Sequence, residues 1–308
     1  MLQGDVRAVA RAISMVEDGR PEARTVLARV FPRAGRALII GVTGPPGAGK
    51  STLVDRLTAR LRAQGRSVGI VAVDPTSPFS GGAILGDRIR MQAHATDDGV
   101  FIRSMATRGH LGGLAAATSH VLTLLDASGK DVILVETVGV GQDEVEIVGT
   151  ADVSVVVLVP GLGDEVQALK AGIMEIADVF VINKADREGV DRVVREIESM
   201  LSLAASADGE RPEVLKTVAA TGEGVDELLA ALERFKGRAD ATGLLARKQR
   251  AHLRQQFEET LREQVMRAVT RRALSPRDMD GVLDRLARRE VDPFTAADEV
   301  MRRVGLTP

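Results

Sequence analysis

Short apolar runs alternate with longer stretches of three- and four-residue periodicity over most of this chain. The runs Ala37–Val42, Val68–Val73, Val100–Ile102, Val132–Val135, Val153–Val159 and Val179–Ile182 are rich in Val and Ile and carry no charge. A parallel sheet buried on both faces requires runs of that kind. A weaker candidate, Val214–Val218, contains Lys216. Between the runs, Ser51–Gln64, Leu114–Leu125, Val190–Leu203 and Val225–Phe235 have helical spacing. Strand–helix alternation predicts an α/β fold with a doubly wound, mostly parallel sheet.

The two ends depart from this alternation. Val6, Val9, Ala10, Ile13 and Val16 recur at spacings of three and four until Gly19-Arg20-Pro21, which predicts one helix, with a second from Pro21 to about Phe31. Beyond Gly237, Leu253, Phe257, Leu261, Val265 and Val269 fall every four residues and mark an apolar stripe on a long helix. Shorter helices are predicted after Ser275-Pro276 and after Asp292-Pro293. The expected organisation is an N-terminal helical extension over 1–35, a nucleotide domain over 36–237 and a C-terminal helical extension over 238–308. The stripe suits either packing within the chain or an interface between chains.

Composition narrows the classes. At 308 residues, 44% hydrophobic and 27% charged, the chain can bury a large core. Lys+Arg 41 against Asp+Glu 43 leaves a net charge of -2, so no basic field invites nucleic acid or an anionic membrane. Tyr and Trp are absent, which removes the usual platforms for base stacking. Cysteine is absent too, excluding disulfides, thiolate metal sites and a cysteine nucleophile, and suiting a reducing cytoplasm. No apolar run approaches the roughly 18 residues of a membrane span. Asp5, Arg7, Arg11 and Glu17 interrupt the first segment, unlike a secretory signal. The expectation is a cytoplasmic protein with no membrane or nucleic-acid partner.

The candidate chemistry begins at Gly44-Pro45-Pro46-Gly47-Ala48-Gly49-Lys50-Ser51, a G-x-x-x-x-G-K-[ST] segment between an apolar strand and a helix. Glycines there let backbone N–H groups turn inward around phosphate oxygens, and the following helix adds its positive N-terminal dipole. Lys50 is the candidate for the β- and γ-phosphates and Ser51 for Mg²⁺, with Thr52 behind them in the nucleotide set. The sheet is thus expected to be of the P-loop NTPase type. Asn183-Lys184-Ala185-Asp186 follows the Val179–Ile182 run. A carboxylate at Asp186 accepts both the N1–H and the exocyclic N2–H of guanine, a donor pair that adenine lacks. Asn183 would brace the loop, and the stem of Lys184 would cover the base. Ala219, Ala220 and Thr221, after the last run, are candidates to offer backbone N–H groups to the guanine oxygen. GTP and GDP are the expected substrate and product.

Carboxylates at strand ends complete the set. Glu136 opens Glu136-Thr137-Val138-Gly139-Val140-Gly141-Gln142, where a GTPase senses Mg²⁺ and the γ-phosphate; Asp74 ends Val68–Val73, and Asp87 sits in Gly86-Asp87-Arg88. The metal candidates are therefore Ser51, Asp74, Asp87 and Glu136. Asp74–Gly82, rich in Pro, Gly and Ser, is a loop suited to ordering around a γ-phosphate. Many GTPases orient water with a glutamine after the glycine matching Gly139. Val140 stands there and Gln142 is displaced, which predicts slow intrinsic hydrolysis accelerated by a partner.

Val-Asp-Pro-Thr-Ser-Pro at 73–78, Gly-Asp-Arg-Ile-Arg-Met at 86–91 and Glu-Thr-Val-Gly-Val-Gly-Gln at 136–142 closely resemble the MeaB/ArgK GTPases, of the metallocentre-assembly class. The resemblance runs from residues 4–17 to residues 292–300. It implies a G-protein chaperone that gates adenosylcobalamin delivery to methylmalonyl-CoA mutase, or to a related acyl-CoA mutase, and protects or reactivates that enzyme. It also implies a homodimer held partly by the C-terminal helices. A third switch region over about Gly161–Lys170 is implied, with Lys170 matching a lysine tied to partner-stimulated hydrolysis; Lys50, Glu136 and Lys170 form the expected catalytic group.

Three other readings compete with this one, of which a basic amino-acid transport ATPase, a name sometimes attached to the family, is opposed by the lack of any membrane-length apolar run. A nickel or zinc metallochaperone GTPase usually delivers metal through Cys or His clusters, whereas His94, His110, His120 and His252 are scattered here. A metabolic ATP-dependent kinase would have no use for Asn183-Lys184-x-Asp186.

Overall fold

The computed structural model describes residues 5–74, 94, 96–106, 113–137, 149–161, 176–203 and 211–305. Two helices come first, α1 (Val6–Glu17) and α2 (Pro21–Val30). Asp5 starts α1 by accepting the Arg7 and Ala8 N–H groups at 2.9 and 3.1 Å, which satisfies donors that have no partner within the helix. Strands and helices then follow in the order β1 (Leu38–Thr43), α3 (Lys50–Ala63), β2 (Val68–Asp74), β3 (Val100–Ala106), α4 (Gly113–Ala127), β4 (Val132–Thr137), β5 (Val153–Leu158), β6 (Val179–Asn183), α5 (Val190–Leu203), β7 (Glu213–Thr217) and α6 (Val225–Ala241). The chain ends in α7 (Leu244–Ala273), α8 (Pro276–Ala287) and α9 (Pro293–Arg303).

All seven described strands pair in parallel, in the order β3-β2-β4-β1-β5-β6-β7. Successive side chains of each strand face opposite layers. Ile40, Val42, Ile70, Leu134, Val155 and Val181 pack with Leu53, Val54, Leu57 and Leu61 of α3 and with Leu228 and Leu232 of α6. On the opposite face, Val71, Ile133 and Val135 meet Val9 and Ile13 of α1 and Val121 and Leu125 of α4. Farther along that sheet, Phe180 and Ile182 pack with Val193 and Ile197 of α5. Truncating a core residue such as Leu57, at 0% exposure, would cost about 2–5 kcal/mol.

This is the doubly wound sheet that the alternation predicts. β1 lies between β4 and β5, so the chain leaves it toward one edge of the sheet and later crosses to the other. The crevice outside the carboxyl ends of the strands at such a reversal is where α/β sheets bind ligands.

Close contacts divide the chain into two compact units, Met1–His252 and Leu253–Pro308, so the division falls inside α7. In the first unit, the opening of α7 is tied to the starts of β5 and β6. The Lys248 ammonium donates to both Asp178 carboxylate oxygens at 2.8 and 2.6 Å and lies 5.1 Å from the Phe235 ring centroid. Asp152 accepts the Ile39 N–H at 2.9 Å and the Gln249 amide at 3.2 Å. Burial raises the affinity of Asp152 and Asp178 for protons, and for Asp178 it outweighs the opposing pull of Lys248. Burial also pushes His252 below its ordinary range, against the opposing effects of its hydrogen bond to the Gly149 carbonyl and of the Asp152 charge.

In the second unit, α8 begins with a capping box between Ser275 and Asp278, and α9 begins with Asp292 capping Phe294 and Thr295. Arg285 of α8 and Glu299 of α9 form two hydrogen bonds at 2.8 and 3.2 Å. The stripe of α7 is not uniform. Leu253, Phe257, Leu261 and Val265 are 49%, 65%, 50% and 40% exposed, whereas Val269 is buried with Ala273 and Val300. A strict four-residue spacing advances about 40° per step around a helix of 3.6 residues per turn, so Val269 is carried to a different face from Leu253.

Candidate nucleotide site

β1 delivers the chain into Gly44–Gly49, and α3 starts at Lys50 with Gly49 as its N-cap. Gly49 holds φ 88°, a left-handed conformation that glycine adopts without penalty. Space is also denied to a side chain. A Cβ at Gly44 would overlap the Val157 carbonyl oxygen on β5, and one at Gly49 would overlap the Asn183 amide. The Lys50 ammonium is buried inside the loop and donates to the Gly44 and Pro45 carbonyls at 2.8 and 3.0 Å. Ala48 is buried, Pro46 and Gly47 are exposed at the lip, and Thr52 is exposed on the first turn of α3.

The Ser51 hydroxyl on that turn donates to Glu136 Oε1 at 2.5 Å. Register explains the meeting: Glu136 on β4 lies beside Val42 of β1 and Ala72 of β2, at the carboxyl end of all three strands. Next to it, the Thr137 hydroxyl donates to the Thr43 hydroxyl at 2.9 Å. A hydroxyl and a carboxylate, both hard oxygen donors, are the chemistry that a magnesium ion takes. Asp74 ends β2 one position past the Val73–Thr137 pair, although its side chain is not among those described. Asp87, Val140, Gln142 and Lys170 lie outside the described residues. Among the described residues, no group of three or more His, Cys, Asp or Glu side chains is arranged to hold a metal.

The base-reading segment meets the same loop. Asn183 closes β6 at 2% exposure. Its Nδ2 donates to the Ala48 carbonyl at 2.8 Å, and its Oδ1 accepts the Thr217 hydroxyl at 3.1 Å and the Ala219 N–H at 3.0 Å. One buried amide thus joins the phosphate loop, the end of β6 and the loop after β7. Lys184 takes a left-handed φ of 56° and donates its ammonium to the Gly47 carbonyl at 2.8 Å. Asp186 is exposed and forms no hydrogen bond or ion pair with the described residues, which leaves both carboxylate oxygens open as acceptors.

The loop at 218–222 narrows an expectation. Of the three N–H groups at Ala219, Ala220 and Thr221, Asn183 takes the first. The third donates to the Val218 carbonyl at 3.0 Å, closing a turn. Only the exposed Ala220 N–H keeps no hydrogen-bond partner among the described residues.

Two residues in this arrangement escaped the sequence reading. Thr217 ends a strand without any motif around it. Arg56 sits two turns into α3 and donates through Nε to the Ala219 carbonyl at 3.2 Å and through Nη2 to the Ala220 carbonyl at 2.8 Å. A half-buried arginine on a helix carries no local signal of such a role.

A glycine loop feeding a buried lysine at a helix N-terminus, beside the reversal point of a parallel sheet and bonded to an Asn-Lys-x-Asp segment, defines a P-loop GTPase. Residues 9–275 match the family described as methylmalonyl Co-A mutase-associated GTPase MeaB. The chain belongs to that family. It is 48% identical over 307 residues to a Pyrococcus abyssi protein assigned as a GTPase, spanning 99% of this chain and 94% of that protein. It is 37% identical to GTPase ArgK of Escherichia coli over 90% of this chain and 85% of that protein. Methylmalonic aciduria type A homolog, mitochondrial, of Mus musculus is also 37% identical, over 80% of this chain and 64% of that protein. Among solved structures, that of an LAO/AO transport system kinase aligns with a TM-score of 0.70 at 28% identity, covering 99% of this chain and 95% of that one. No described helix is long and apolar enough to cross a membrane.

Proposed function

We propose that this GTPase is a G-protein chaperone that gates adenosylcobalamin loading of methylmalonyl-CoA mutase, or of a related acyl-CoA mutase, and protects or reactivates that enzyme. The observation that carries the reading is the match of residues 9–275 to a family described by its association with methylmalonyl Co-A mutase. Within the site, Gly44–Ser51 and Thr52 hold the phosphates, and Lys50 turns from the loop carbonyls to the β- and γ-phosphates. Ser51 and Glu136, joined by Asp74 and Asp87, would hold Mg²⁺, which when bound would supply positive charge beside the transferred phosphoryl group. Asp186 accepts the two guanine N–H groups, and the Ala220 N–H donates to the guanine oxygen.

Hydrolysis is slow alone, because Val140 cannot position water, and it is accelerated through Lys170 when the mutase binds. The functional form is a cytoplasmic homodimer. Leu253, Phe257, Leu261 and Val265 support that reading as a row of exposed apolar side chains, each of which would lose contact with water in an interface. The division into 1–35, 36–237 and 238–308 is kept as a division of labour, with the last segment serving assembly.

The test is GTP turnover by the purified chain with and without the methylmalonyl-CoA mutase encoded in the same genome. Stimulation by the mutase supports the reading. Equal turnover with and without any acyl-CoA mutase would remove it, and a preference for ATP would remove the guanine reading as well.

A further inference from the structure

The geometry points to Arg56 as a specificity-determining residue that sets the direction of the N–H reading the guanine oxygen. This inference rests on the proposed base reading and deepens it. In a trans peptide, the carbonyl of one residue and the N–H of the next lie in one plane and point to opposite sides. The Ala219 carbonyl and the Ala220 N–H share such a plane. Arg56 Nε holds the Ala219 carbonyl at 3.2 Å from the α3 side, so the Ala220 N–H is turned away from α3.

The next peptide is fixed at both ends. Arg56 Nη2 holds the Ala220 carbonyl at 2.8 Å, and the Thr221 N–H in the same plane is taken by the Val218 carbonyl. On the other flank, Asn183 Oδ1 holds the Ala219 N–H. The Ala220 N–H is left as the donor available for a ligand, aimed by groups that never touch it. A planar guanidinium suits this task, because its donors form a rigid fork that spans two successive carbonyls. Glycine at 222, with φ 88°, and a two-alanine loop give the backbone little stiffness of its own. A donor fixed before binding loses no conformational freedom on meeting its acceptor.

The measurement is the affinity of the full chain for GDP, for IDP and for 2-aminopurine riboside diphosphate, in the wild type and in Arg56→Met and Arg56→Lys. IDP keeps the ring oxygen and lacks the 2-amino group that Asp186 reads; the 2-aminopurine nucleotide keeps the amino group and lacks the oxygen together with the N1–H, a second loss at Asp186 that is the same in wild type and variants. In wild type, GDP binds more tightly than either analogue. In R56M, the GDP preference over the 2-aminopurine nucleotide shrinks by roughly three- to tenfold, the range of one net hydrogen bond. The preference over IDP stays as in the wild type. R56K, able to serve one carbonyl at a time, falls between the two.

An R56M protein whose discrimination against the 2-aminopurine nucleotide equals that of the wild type overturns the inference and leaves the base reading standing. Uniform weakening of all three ligands also overturns it, because Arg56 would then support only the loop's stability. A wild type that binds GDP and the 2-aminopurine nucleotide equally would overturn the oxygen reading itself, and this inference with it.

Discussion

Replacing Asn183 with alanine removes the one side chain among the described residues that joins the phosphate loop to both base-side segments, and its cost can be worked from the geometry. Three hydrogen bonds disappear, at 2.8, 3.1 and 3.0 Å. At about 1 kcal/mol net for each, the loss is about 3 kcal/mol. The groups left behind add to it. Ala48, Ala219 and Thr217 are 0%, 2% and 1% exposed, so the stranded carbonyl, N–H and hydroxyl have little access to water. A water molecule entering the space vacated by the amide offsets part of that penalty, so about 3 kcal/mol serves as a floor. For a domain of this size, 1 kcal/mol moves the melting temperature by about 2–4 °C. The N183A protein should therefore melt at least about 6 °C below the wild type, followed by circular dichroism without nucleotide. Thr217→Val deletes one of the three bonds and should cost about 1 kcal/mol. The double variant should fall short of the summed losses by about that amount, because the shared bond is counted once. Melting of N183A within about 2 °C of the wild type would refute the reasoning, as would full additivity with T217V.

Three further outcomes follow from the same geometry. Asp186→Asn should weaken GDP binding roughly ten- to a hundredfold, the value of one hydrogen bond to a charged group, and should favour XDP over GDP; isothermal titration with both nucleotides measures this. Xanthine carries a carbonyl where guanine has its amino group, and an amide side chain can donate to it. Glu136→Gln should lower magnesium-dependent GTP turnover by roughly ten- to a hundredfold while GDP binding in chelator stays near the wild-type value, read from phosphate release and titration in parallel. His252 is held below its ordinary value of 6.5, so its contribution to stability is present above that value and is lost as the pH falls through and below it, where the unfolded chain takes up the proton first. Between about pH 7.5 and about pH 5.5 the wild type should therefore lose more melting temperature than His252→Gln. Asp152 and Asp178, whose proton affinities are raised, act with the opposite sign at lower pH and are common to both proteins. Parallel pH profiles for the two proteins would exclude the histidine.

The amino-acid sequence by itself determined the elements and the class. Strand positions were legible because a run such as Val153–Leu158, buried at every residue, carries no charge and is apolar at every position but Ser154. The phosphate loop was legible because its conformation rests on residues that change the local backbone, above all Gly49 at φ 88°. Asn183 and Asp186 could be placed because they follow directly from a strand end. The stripe from Leu253 to Val269 was less legible, since a four-residue repeat drifts around the helix and buries only one of its ends.

Tertiary structure decided which of these local features meet. Ser51 reaches Glu136 across 85 positions, Asn183 reaches Ala48 across 135, and Arg56 reaches the Ala219 carbonyl across 163. None of these separations carries a period or a spacing rule. They follow from the strand order β3-β2-β4-β1-β5-β6-β7, which brings the ends of β1, β4 and β2 to one side of the phosphate loop and those of β5, β6 and β7 to the other. The choice of the Ala220 N–H over its neighbours is of the same kind. Local chemistry made three alanine and threonine donors equivalent, and the hydrogen bonds of Asn183 and Val218 left one available.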